Sequence, residues 1–91
     1  MVGQFAVSLM GHDKDTLYVI VKEDSKYVYL SDGRCRSAET PKKKSRKHIQ
    51  IINSSVSSEM IQKLLGGETV YPEQLRAEIG SFSKSGRTDN R

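Results

Sequence analysis

Apolar residues in the first half of the chain recur at every second position, and this period commits that half to short strands. Phe5, Val7 and Leu9 fall on one side of an extended segment, with Ala6 and Ser8 on the other. A polar turn over 10–15, with Gly11 near its entry, leads to a second strand over 16–22, where Leu17, Val19 and Val21 line one face. Glu23, Asp24, Ser25 and Lys26 form a tight hairpin connection to a third strand over 27–30. Ser31, Asp32 and Gly33 end that strand, and the Asp-Gly pair suits a turn with positive φ. The pattern predicts a short fourth strand over 34–38, a basic loop over 39–47 held extended by Pro41, and a fifth strand over 48–52. Short strands with brief connections predict a mainly β, five-stranded antiparallel barrel over 1–53. Closing such a sheet removes edges that invite aggregation.

The period changes after Asn53. Val56, Met60, Ile61, Leu64 and Leu65 form one apolar stripe on a helix, the serines within 54–58 offer N-caps, and Gly66 and Gly67 stop it. A second helix is expected to begin near Pro72, with Tyr71, Leu75, Ile79 and Phe82 marking its buried side. The helical pair occupies 54–82, and the polar tail 83–91 is expected to be disordered. Met60, Leu64, Leu75 and Ile79 would complete the core if the helices pack on the barrel. Docked elsewhere, they would make an interaction surface.

Several chemistries are excluded by composition. Cys35 is the only cysteine, and His12 and His48 have no clustered partners, so zinc fingers, disulfide scaffolds and Cys-Cys redox motifs are ruled out. No metal and no cofactor are expected. Cys35, flanked by Arg34 and Arg36 but pointing away from them on an alternating strand, reads as a small buried apolar residue. His12 beside Asp13 cannot form a catalytic pair, because neighbours on a turn cannot orient one another as a triad requires. No nucleophile, base and oxyanion donors can be assembled, so neither an enzyme nor a small-molecule substrate is expected. No segment approaches the ~20 apolar residues of a membrane span. The first residues lack the basic and apolar runs of a secretory signal, which points to a cytoplasmic protein.

The distribution of charge is more informative. Between positions 34 and 47, seven cations (Arg34, Arg36, Lys42, Lys43, Lys44, Arg46, Lys47) face one carboxylate, Glu39, a local net of +6. The chain of 91 residues carries only +4, so everything else sums to −2. Such segregation is what a polyanion-binding surface requires. The seven cations are the candidate polyanion-binding residues, with His48 and Lys14 as lesser candidates. Arg34 and Arg36, two apart on the expected strand, would share a face and could grip phosphate bidentately or stack on a base. Tyr27 and Tyr29 also share a face next to Tyr18. Exposed, they could stack unpaired bases; buried, they fill the core with wet hydroxyls.

The segment from Gln4 through Phe5-Ala6-Val7-Ser8-Leu9-Met10-Gly11-His12-Asp13-Lys14-Asp15, followed by Leu17-Tyr18-Val19-Ile20-Val21, resembles the KOW motif of ribosomal proteins and transcription elongation factors. Together with Asp32-Gly33-Arg34 and the run from Pro41 to His48, it is similar to the small bacterial KOW-domain RNA-binding proteins. Those resemble in turn a large-subunit ribosomal protein family of archaea and eukaryotes. The resemblance covers about residues 3–52 and extends to the helical segment. It implies an SH3-like barrel that binds structured, ribosomal RNA and is linked to the ribosome or translation, with ribosomal proteins as further partners. Many members carry a glycine where Asp15 stands. The alternative is a protein-interaction module of the same SH3/KOW type.

Overall fold

The computed structural model describes residues 2–34 and 36–84. The expectations for Cys35 and for the tail beyond Lys84 fall outside the described residues. Five strands, β1 (Gln4–Ser8), β2 (Leu17–Glu23), β3 (Tyr27–Ser31), β4 (Lys42–Ser45) and β5 (Ile49–Ser55), precede two helices, α1 (Ser58–Leu65) and α2 (Pro72–Lys84). Every strand pairing is antiparallel, and the order across the sheet is β4-β3-β2-β1-β5. The fold is therefore mainly β. The sheet is open in its hydrogen bonding, with β4 and β5 as its two edges.

Those edges are joined only by the three residues of a 3₁₀ turn, Arg46–His48. Laid flat at ~4.8 Å per strand spacing, four spacings would separate the edges by about 19 Å. The chain from Ser45 to Ile49 reaches at most about 14 Å even when fully extended. The sheet must therefore curl. Register shifts between Gln4 and Ala6 on the β1–β5 pair, and between Ile20 and Lys22 on the β2–β3 pair, supply the local bends.

Curling gives the sheet two apolar faces. On the inner face, Ala6, Tyr18, Ile20, Val28, Leu30 and Ile49 form one core cluster. On the other face, Phe5, Val19 and Val21 pack with Val56, Met60, Val70 and Leu75 from the helical segment. β2 is the central strand and contributes to both clusters, which is why 17–21 reads as an unbroken apolar run. The helices complete this core, since Ile61, Leu64, Ile79 and Phe82 also pack against the second cluster. The Phe82 ring stacks on Phe5 at 4.3 Å between centroids. Most of the stripe of α1 and α2 is thus used internally, although Leu65, expected in it, is exposed.

Local chemistry sets the boundaries. The Ser57 hydroxyl caps α1 by accepting from the Met60 amide, and Gly67 leaves the helix at φ +73°. Gly33 has the expected positive φ, +72°, and a Cβ there would lie 2.6 Å from the Pro72 carbonyl oxygen. Only glycine lets the start of α2 sit this close to the turn after β3.

Four expectations are corrected. The fourth strand is 42–45 rather than 34–38, because Asp32 Oδ1 accepts from the amides of Arg34 (2.8 Å) and Arg36 (3.0 Å) and folds that stretch into a turn. The basic loop expected over 39–47 is instead mostly strand and 3₁₀ turn, because the free edge of β3 pairs with 42–45. Tyr71 is exposed rather than buried, lying just before the start of α2. α2 continues past 82 to Lys84, two residues into the expected tail.

Candidate nucleic-acid interface

Because the basic run is a strand, its side chains alternate between the two faces of the sheet. Lys42 and Lys44 lie opposite Leu30 and Val28, and so on the inner face, whereas Lys43 lies opposite Tyr29 on the outer one. The expected single rim of cations is therefore divided.

The inner pair ties the edge strand β4 to the β1–β2 turn. Lys44 Nζ donates to Asp13 Oδ1 at 2.7 Å and to the Met10 carbonyl at 2.9 Å, and only 10 % of its side chain is exposed. Lys42 Nζ lies 3.5 Å from Asp13 Oδ2. Asp13 also accepts from the hydroxyls of Ser8 (2.9 Å) and Tyr18 (2.8 Å). The β1–β2 turn is thus clasped to the far edge strand by one carboxylate. Burial alone would raise the Asp13 pKa. Hydrogen bonds from Lys44, Tyr18 and Ser8 outweigh it and hold the carboxyl far below its ordinary range. Burial and the neighbouring Asp13 charge push the Tyr18 hydroxyl well above its usual value. Asp15, in the same turn, takes φ +74°, which glycine would hold without strain.

The outer side has a different character. Lys43 Nζ sits 4.2 Å from the centroid of the Tyr27 ring, a cation–π contact. Arg46 straps the 3₁₀ turn to the β2–β3 hairpin. Its Nη2 donates to Glu23 Oε1 (2.6 Å) and the Asp24 carbonyl (2.6 Å), and its Nε donates to that carbonyl at 2.9 Å. Lys47 is exposed, and His48 is half-buried with its carbonyl accepting from the Leu9 amide. Arg34, Arg36 and Lys14 have exposed side chains on turns.

Of the nine candidate residues, then, Lys44 and Arg46 are occupied by internal partners and Lys42 is partly so. Arg34, Arg36, Lys43, Lys47 and Lys14 present their charge to solvent. The tyrosines separate as well: Tyr18 is buried, Tyr29 is half-buried with its hydroxyl donating to Asp24 Oδ2, and Tyr27 is 36 % exposed. Sequence reasoning overlooked Asp13 as the clasp and Lys26 as a neighbour of the basic strand. Pairing the strand over 27–30 directly with the lysine run would have brought Lys26 beside Arg46. Among the described residues, no group of three or more His, Cys, Asp or Glu could hold a metal ion, and no helix is long and apolar enough to cross a membrane.

Comparison with models of known protein families gives no match, and comparison with curated proteins gives none either.

Proposed function

We propose that this chain is a non-enzymatic, cytoplasmic RNA-binding module, its curled sheet a small SH3-like barrel of the KOW type. In this reading it binds structured, ribosomal RNA and acts in connection with the ribosome or translation. The observation that carries the reading is the concentration of positive charge on one edge strand and its flanking turns, where Arg34, Arg36, Lys43 and Lys47 remain solvent-facing. Cations held on strand ends and tight turns meet a phosphate backbone with little entropy left to lose. Each contact releases condensed counterions, which gives strong but salt-sensitive binding. Phosphate contacts orient an RNA without reading its sequence, so selectivity in this reading comes from shape.

The test follows from which cations are already engaged. Reversing Lys44 or Arg46 would break the clasp or the strap, so the informative variant changes exposed positions only: Arg36→Glu, Lys43→Glu and Lys47→Glu together. The expected outcome in a gel shift is loss of RNA retention with a thermal melt close to that of the parent. Equal retention by the triple variant would overturn the reading.

A protein-interaction module remains the alternative, favoured by one observation. An apolar-floored groove of about 650 Å³ runs between Tyr29, Pro41 and the exposed Leu65 at the end of α1. Binding through such a groove would hardly respond to salt.

A further inference from the structure

Beside the strap formed by Arg46 lies a recess of about 560 Å³ lined by Ser25, Lys26, Tyr27, Ser45, Arg46 and Lys47. It combines an aromatic ring, three cations and two hydroxyls. Three features fix its walls. Asp24 Oδ1 accepts from the amides of Lys26 (2.9 Å) and Tyr27 (2.8 Å), which sets the hairpin tip. The Arg46 amide donates to the Lys26 carbonyl at 3.1 Å, joining that tip to the end of β4. Tyr27 and Ser45 are direct partners across the β3–β4 ladder, so ring and hydroxyl sit side by side. Lys43, over the Tyr27 ring, does not line the recess. It sits against the Tyr27 ring, which also lines the recess.

The carboxylates nearby are already engaged. Glu23 accepts from Arg46 Nη2, and Asp24 accepts from two amides and from the Tyr29 hydroxyl. Lys26 and Lys47 are exposed at the rim. A stacking ring bordered by free ammonium groups and small hydroxyls fits a base with its 5′ or 3′ phosphate, and the volume lies within the ~300–1,000 Å³ of ligand recesses. A duplex offers no free base face to such a ring.

Building on the RNA-binding reading, we propose that this recess is a subsite for one unpaired nucleotide: Tyr27 stacks its base, and Lys26 and Lys47, with the Ser25 and Ser45 hydroxyls, hold the adjoining phosphate. Base–aromatic stacking tolerates any base, so the subsite selects for single-strandedness rather than sequence.

The test uses the full chain and two probes, a fluorescein-labelled oligouridine RNA and a fully paired RNA duplex, read by fluorescence anisotropy. Tyr27→Ala weakens oligouridine binding about tenfold while Tyr27→Phe preserves it, and neither changes duplex binding. Lys26→Ala with Lys47→Ala makes the log–log salt slope for oligouridine shallower by about 1.4, at ~0.7 per lost contact. Tyr27→Ala binding oligouridine as tightly as the parent, or losing the duplex equally, overturns the subsite. So does a parent chain that binds duplex but not oligouridine, and these results leave the broader reading standing. A parent chain that binds neither probe overturns both.

Discussion

Asp13 joins the β1–β2 turn to the basic strand through its ion pairs with Lys42 and Lys44, and its environment makes it a stability determinant. Its folded pKa lies below the unfolded value of about 3.9, so its contribution is fully present above that pH. As pH falls below about 4 towards the folded value, the carboxylate takes up a proton and the contribution is lost. Asp13→Asn keeps the shape and removes the charge opposite Lys44, at an expected cost of about 2 kcal/mol. For a domain of this size that lowers the melting temperature by roughly 10 °C at neutral pH. Scanning calorimetry of parent and variant checks both parts: the gap should narrow as pH is lowered from 6 to below 4. A constant gap would remove the clasp from the account. The parent carries the share of acid sensitivity due to Asp13, which the variant lacks, while Glu23 and Asp24, also held below their ordinary range, contribute to both.

At the scale of elements, the turn between β3 and β4 and the first turn of α2 depend on one another. Gly33 lets them touch, and Arg76 Nη1 donates to the Gly33 carbonyl at 2.5 Å. Gly33→Ala adds a side chain at positive φ and drives it into the Pro72 carbonyl, so it should cost about 2–3 kcal/mol in chemical denaturation. A loss below about 0.5 kcal/mol would mean that the contact is not held in solution. Edge strand β4 has a second task. Lysines directed inward from an edge discourage pairing with another chain, and Lys42 and Lys44 do this while pairing with Asp13 in the β1–β2 turn. Much of this level could be read in the residues. The alternation of Phe5, Leu17, Val19 and Val21 marked the face that the helices cover, and Gly33, Ser57 and Gly67 punctuated the chain where expected. The position of β4 could not be read, because Lys-Lys-Lys has little intrinsic strand preference and pairs only when β3 offers a free edge. The clasp was equally hidden: nothing local links Asp13 to Lys44 until the sheet curls.

For the whole molecule, charge segregation was legible in the sequence, whereas its division between two faces was not. Alternation along a strand turns one run of cations into an inner group that maintains the fold and an outer group that faces solvent. The exposed positions are Lys14, Arg34, Arg36, Lys43 and Lys47, and Lys26 joins them from the hairpin. With four to six of these neutralising phosphates, the account makes a quantitative demand on binding as a function of salt. The decisive measurement is the equilibrium affinity of the full chain for single-stranded RNA across a series of salt concentrations. The account predicts a log–log slope of roughly −3 to −4, at ~0.7 per phosphate contact; an affinity that stays flat as salt rises would contradict it.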